Sequence, residues 1–234
     1  MSFNVAFATP TYSQDPYDGY LTSLATTQEV LRLIGIESRR LTLRGNCYVE
    51  LARNVLVAAF LETPCTHLFC LDDDLEWDAA AVPRMLARDV DIIGGLYPFK
   101  IDEESYPAGF VMSSDGYHLG RDGMLEMVML PGGFLCIKRE AILRMIEAYP
   151  ETRFVGKGLG DREAEMWGLF SCDIEDGKWW GEDVQFCKRW RAIGGQLWAE
   201  PDIDFGHCGK KVWRGNWHRF RMKQAAETAL RAAE

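Results

Sequence analysis

Apolar and polar positions along the first half of the chain alternate between two periods. Phe3 to Ala8 is a short continuous apolar run, read as a buried strand that stops at Thr9-Pro10-Thr11-Tyr12. Leu21, Leu24, Ala25, Val30, Leu31 and Ile34 recur at helical spacing, and Gly35 follows as a fitting C′ residue, so the pattern predicts a helix over 21–34. Ile36 to Leu43 reads as a strand, Val49 to Leu61 as a helix closed by Pro64, and His67 to Leu71 as a strand. Asp78 to Arg88 is expected to be helical with Asp78 as N-cap, and Val90 to Ile93 to be the next strand. Strands separated by helices of this length indicate βαβ units and a mostly parallel sheet.

The pattern changes after Gly94-Gly95. Phe110 to Met112 and Leu125 to Leu130 read as shorter strands, and Gly133 to Lys138 as a central one followed by a helix over 139–149. Residues 150–181 carry many Gly, charged and Trp residues without a clear period, which is expected of a functional lid or binding loop. A helix over 182–193, strands near 196–199 and 203–205, and an Ala-rich helix over about 219–233 complete the chain. With no repeat and no linker, the expectation is one α/β domain over 1–234. Its nucleotide-binding part is expected at about 1–100 and its acceptor-binding part at about 101–215.

Bulk properties narrow the function. The 234 residues are 47% hydrophobic, enough for a core, and the formal net charge of −9 argues against general nucleic-acid or anionic-membrane binding. No apolar stretch reaches the ~20 residues that span a bilayer. The opening Met1-Ser2-Phe3-Asn4-Val5 has no basic or cleavable signal region. Seven cysteines without a C-x-x-C pair fit a reducing, cytoplasmic setting.

The strand at 67–71 ends in Asp72-Asp73-Asp74. A sheet interior cannot solvate carboxylates, so the chain must leave the core at Asp72. Three adjacent like charges become tolerable beside a divalent cation, solvent or a cationic ligand group. Open α/β sheets bind ligands in the crevice at such strand ends. The plain alternative is a solvated acidic turn.

Five ordered pieces then resemble GT-A-fold glycosyltransferases, most closely the family-2-like enzymes, over roughly residues 3 to 215. They are Thr9-Pro10-Thr11-Tyr12 after the first strand, Ala52-Arg53-Asn54 on the second helix, Asp72-Asp73-Asp74 at the D-x-D position, Gly181-Glu182-Asp183 opening a helix, and His207 after a short strand. The resemblance implies metal-dependent transfer of a sugar from a nucleotide-diphosphate donor, with a UDP-sugar favoured, to an acceptor hydroxyl. Mn²⁺ or Mg²⁺ would be held by Asp74 and His207, with Asp72 sharing the metal or holding ribose hydroxyls. Thr9, Pro10, Thr11 and Tyr12 would contact the nucleotide. Asp183 would be the general base of an inverting reaction, with Glu182 binding the acceptor or exchanging roles with it, although a retaining outcome stays open. Both acids also suit a helix N-terminus.

Other residues keep more than one reading. Arg53 either contacts the nucleobase, stabilises the acidic strand end or is an ordinary surface arginine. Gly132-Gly133 would let substrate approach the backbone, and Gly94 to Lys100 would line the donor-sugar side. Trp167, Trp179 and Trp180 suit stacking on sugar, whereas Trp77 is expected to anchor the fold. Residues 207–223 contain Lys210, Lys211, Arg214, Arg219, Arg221 and Lys223 with no acid. That run is read as a diphosphate contact through Lys210 or Lys211, as contact with a polyanion or a membrane surface, or as a solvated tail. The acceptor is left open among glycan, protein, lipid-linked intermediate and modified nucleobase. Two other functions compete: a nucleotidyltransferase, disfavoured because the first turn lacks Gly and Lys, and a silent sugar- or nucleotide-binding module.

Overall fold

The computed structural model describes residues 3–13, 15–114 and 116–233, without the side chains of residues 232 and 233. In chain order the first elements are β1 (Asn4–Thr11), α1 (Asp18–Leu33), β2 (Glu37–Arg44), α2 (Val49–Leu61), β3 (His67–Leu71), β4 (Leu75–Trp77), α3 (Ala81–Ala87) and β5 (Ile92–Gly95). The middle contains β6 (Gly109–Phe110), β7 (Met112–Ser113), β8 (Gly116–Tyr117), β9 (Leu125–Met129), β10 (Phe134–Lys138) and α4 (Arg139–Ala148). Then come β11 (Arg153–Lys157), β12 (Glu163–Trp167), β13 (Asp173–Glu175), β14 (Lys178–Trp180), α5 (Glu182–Ala192), β15 (Leu197–Glu200), β16 (Phe205–Cys208), β17 (Val212–Gly215) and α6 (Trp217–Ala233).

Eight strands form the central sheet in the order β2-β1-β3-β10-β5-β15-β9-β6. Strands β2, β1, β3, β5, β15 and β6 run one way, and β10 and β9 run the other. The strand-direction expectation of a mostly parallel α/β sheet therefore holds, with β10 inserted antiparallel at its centre.

Alternation along the strands separates two apolar layers. Ala6, Ala8, Leu68, Cys70, Leu135 and Ile137 meet Leu56 and Phe60 of α2, Ile142 and Met145 of α4, and Phe186 and Trp190 of α5. Val5, Phe7, Phe69, Leu71, Phe134 and Cys136 face the other way, against Tyr20, Leu24 and Leu31 of α1 and Val82, Met85 and Leu86 of α3. This is the period-2 logic of a sheet covered on both faces. Trp77 does anchor the fold: it is buried and its indole N–H donates to Thr27 Oγ1 at 2.9 Å.

Several elements differ from the sequence reading. The first strand continues through Thr9-Pro10-Thr11, paired with Thr42, Leu43 and Arg44. Beyond Ala8 it has no β3 partner, and a one-sided ladder tolerates a proline that cannot donate. Asp78 does not cap α3 directly; its carbonyl and carboxylate accept from Ala81 and Ala80 in a turn that precedes the helix. The stretch 150–181 is not irregular, because it folds into the β11–β12 and β13–β14 hairpins. The second turns at Asp176-Gly177, both in the left-handed region (φ 52° and 72°), where an Asp-Gly pair is favoured. The first hairpin lays Phe154, Ala164 and Met166 against Val55 and Ala58 on the outer face of α2. That cover explains why Ala52 to Phe60 are all buried. Finally, the basic run is not a tail but the β16–β17 hairpin followed by α6.

Candidate functional site

The acidic turn joins β3 to β4. All five β3 residues are buried, and Asp72, Asp73 and Asp74 are partly exposed. Backbone bonds fix the turn on three sides. Asp72 N–H donates to the Gly133 carbonyl (2.9 Å), the Asp73 carbonyl accepts from Tyr17 N–H (3.0 Å), and the Asp74 carbonyl accepts from Cys208 N–H (2.7 Å). The last bond and the Leu75–His207 pairing of β4 with β16 set His207 beside Asp74.

At Asp74 the side chain lies between two cationic or potentially cationic groups. Its Oδ2 accepts from Lys100 Nζ at 2.5 Å, and its Oδ1 is 3.6 Å from His207 Nε2. Oδ1 is buried and has no hydrogen-bond partner among the described residues at ordinary hydrogen-bond distance. His207 Nδ1 is 2.8 Å from the Pro98 carbonyl, which can only accept, so Nδ1 carries a proton and donates it. In the neutral ring Nε2 then presents a lone pair toward Asp74 Oδ1. Two facing acceptors call for a proton or cation between them. Burial pushes the Asp74 carboxyl upward, but His207 in its protonated form and Lys100 outweigh it and hold it below the usual carboxylate range. Asp73 moves the other way: burial and the flanking Asp74 and Asp72 charges raise it.

Arg53 settles into one of its readings. It is 3% exposed and therefore no surface arginine. Its Nη2 donates to Asp72 Oδ1 (2.9 Å), Nη1 to the Gly132 carbonyl (2.9 Å) and Nε to Glu182 Oε1 (3.2 Å). Burial opposes its charge, yet Asp72 and Glu182 keep the guanidinium ionised. One side chain thus ties the end of β3 to the start of α5. Asn54, next on α2, is a residue whose role the sequence reading missed. Its amide clamps Phe170 from both sides, accepting from the Phe170 N–H (3.0 Å) and donating to its carbonyl (2.6 Å).

Glu182 and Asp183 differ in what holds them. Burial raises the Glu182 carboxyl above its ordinary value, with Arg53 opposing and Asp183 adding to the shift. Asp183 Oδ1 accepts from the Val184 N–H (2.8 Å), a local bond at the helix start, and Oδ2 receives only a long contact from Gly132 N–H (3.4 Å). Gly132 and Gly133 leave room for neighbouring side chains. A Cβ on Gly133 would collide with Asp72 Oδ2 and the Tyr97 hydroxyl, and one on Gly132 would press on Arg53 at 3.2 Å and Asp183 at 3.3 Å. The glycines make room for the protein's own acids.

The first turn is divided. Thr9 is buried with its hydroxyl on Tyr20 (2.5 Å), Thr11 is buried with its side chain toward the Asp73 carboxyl, and Tyr12 is 70% exposed. In the basic run Lys211 pairs with Asp102, Arg214 with Glu76 (3.1 Å) and Arg219 with Asp204. Lys210 is exposed and has no hydrogen bond or ion pair to a described residue. Trp179 is 68% exposed on the hairpin that leads into α5, whereas Lys188 covers the Trp180 ring. The structure therefore gathers Asp72, Asp74, Arg53, Glu182, Asp183 and His207 at one end of the sheet. Lys100, which the sequence reading placed only within the Gly94–Lys100 segment, stands at Asp74.

No family model matches the chain, and no curated protein does. Solved structures do match. A197 from STIV overlays with a TM-score of 0.54 at 18% identity, covering 93% of this chain and 91% of that one. GalNAc-T7, crystallised with UDP, GalNAc and Mn²⁺, overlays with a TM-score of 0.51 at 12% identity. That overlay covers 88% of this chain and 43% of GalNAc-T7, so the chain spans less than half of that protein. The fold is GT-A-like: a mixed α/β sheet flanked by helices. No helix among the described residues is long and apolar enough to cross a membrane.

Proposed function

We propose that this chain is a metal-dependent glycosyltransferase that moves a sugar from a nucleotide-diphosphate sugar, a UDP-sugar first among the donors, to an acceptor hydroxyl with inversion. The observation that carries the reading is Arg53 bridging Asp72 and Glu182, which ties the acidic turn to the α5 N-terminus. The partnerless Asp74 Oδ1 facing His207 Nε2 fits a hard divalent cation, an oxygen and an imidazole being suitable donors for Mn²⁺ or Mg²⁺. Such a cation supplies Lewis-acid stabilisation of the diphosphate as it leaves. Among the described residues no set of three or more His, Cys, Asp or Glu converges on one point, so Asp72 does not join Asp74 and His207 in a three-residue cluster.

The remaining roles belong to the chain. Tyr12 borders the nucleotide, and Asp72, held through Oδ1 by Arg53, keeps Oδ2 for a ribose hydroxyl or the cation. Lys210 is free to reach the diphosphate. Asp183, lightly held through Oδ2, takes the proton from the acceptor hydroxyl as that oxygen attacks the anomeric carbon. Glu182, gripped by Arg53, orients the acceptor side.

The test is calorimetric titration of UDP with and without Mn²⁺, combined with hydrolysis of UDP-sugars by the same proteins. Asp74→Asn is expected to lose Mn²⁺-dependent UDP binding by about ten-fold or more. Asp183→Asn is expected to keep binding and lose about 10²–10⁴ in turnover. Absence of metal-dependent nucleotide binding in the unaltered protein refutes the proposal.

A further inference from the structure

Lys100 lies in the loop between β5 and β6, and its ammonium is the cation in contact with the acidic turn on the Oδ2 side of Asp74. The loop is anchored on both sides of it. The Pro98 carbonyl accepts from His207, Phe99 N–H donates to the Ser105 carbonyl at 2.8 Å, and Asp102 is paired with Lys211. The stem of Lys100 runs beside Gly209, where an added Cβ would sit 3.4 Å from the lysine Cδ. Backbone position is therefore fixed while the side chain, one-third exposed, carries its ammonium on a flexible four-carbon arm that can swing. Lys211, by contrast, is already committed to Asp102.

A divalent cation bound between Asp74 and His207 would stand within a few ångströms of that ammonium. Two like charges at that distance repel strongly outside bulk water, so both cannot hold the same carboxylate. The diphosphate of the donor brings compensating negative charge to the same place. We propose that Lys100 is a displaceable counter-ion of Asp74: its ammonium neutralises the carboxylate until metal and donor bind, then leaves Oδ2 and contacts the donor diphosphate. This rests on the glycosyltransferase reading above. It makes metal and nucleotide binding cooperative, because the metal releases the lysine that the diphosphate needs and the diphosphate removes the lysine that opposes the metal.

The experiment measures Mn²⁺ binding to the full chain by the EPR signal of the free ion, with and without UDP, and UDP binding at saturating Mn²⁺ by calorimetry. Lys100→Met is expected to bind Mn²⁺ about ten-fold more tightly than the unaltered protein without UDP, and to bind UDP about ten-fold more weakly in saturating Mn²⁺. Its cooperativity between the two should shrink accordingly. Lys100→Arg, which keeps the charge, is expected to stay near the unaltered protein in Mn²⁺ affinity, and circular dichroism checks that both variants are folded. If the unaltered protein binds Mn²⁺ and UDP together but Lys100→Met leaves both affinities unchanged, the counter-ion role is wrong and the glycosyltransferase reading stands. If neither protein binds Mn²⁺ or UDP, the glycosyltransferase reading fails and takes this inference with it.

Discussion

Replacing Arg53 with Met tests whether one buried guanidinium holds the acidic turn to the start of α5. Methionine fills much of the same volume but strands three acceptors: Asp72 Oδ1, Glu182 Oε1 and the Gly132 carbonyl. Breaking a fully buried ion pair costs about 3–5 kcal/mol, because the remaining charge has neither partner nor water. Here the Asp72 side chain is 31% exposed and Glu182 15%, so water recovers part of that loss. The expected destabilisation is about 2–4 kcal/mol. For a chain of this size it lowers Tm by about 5–15 °C. Urea unfolding of Arg53→Met, Glu182→Gln and the double variant measures the coupling, expected above about 0.5 kcal/mol. The pH dependence has a definite sign. Glu182 already has a raised carboxyl pKa, and loss of Arg53 raises it further. A carboxyl raised on folding stabilises below its unfolded value and loses that contribution as pH rises through its folded value. The Arg53→Met deficit should therefore shrink toward pH 4 and grow toward neutrality. A loss below about 1 kcal/mol, or strict additivity with Glu182→Gln, would refute the bridge.

Gly133→Ala should lose about 1–3 kcal/mol and weaken nucleotide binding, since its methyl collides with Asp72 and Tyr97; normal binding in calorimetry would contradict the close packing. Burial and nearby Lys138 lower His67 from 6.5 to about 4, so its contribution is present above pH 6.5 and is lost as pH falls toward 4. His67→Phe should flatten stability across that window in denaturant titrations. Lys211→Ala should change stability by less than about 0.5 kcal/mol, because its pair with Asp102 is largely exposed, and unfolding midpoints check it.

What the sequence by itself determined is the part encoded locally. Short continuous apolar runs and amphipathic spacing marked the main strands and helices, because a strand covered on both faces of a sheet must be apolar at successive positions and a helix on one side only. Asp72-Asp73-Asp74 marked where β3 leaves the core, since carboxylates cannot remain in it. The β13–β14 hairpin was also written locally, in Asp176-Gly177, but it lay among charged and aromatic residues whose alternation is short. The extent of β4 and β17, three and four residues long, came from pairing with β16 rather than from their own composition.

Tertiary structure alone decided how the acids are held. Arg53 was equally compatible with a nucleobase contact, a stabilising bridge and the surface until α2 was sealed between the sheet and the β11–β12 hairpin, which fixed its guanidinium between Asp72 and Glu182. Lys100 was legible only as the end of the Gly94–Lys100 segment expected on the donor-sugar side, because a lysine in a loop says nothing of the carboxylate it will meet. Its place follows from the fold of a distant hairpin that carries His207 to the Pro98 carbonyl and brings the loop to Asp74. Sequence specifies which charges exist and where the chain must leave the core; only long-range packing fixes which opposite charge each one meets and how much water remains between them.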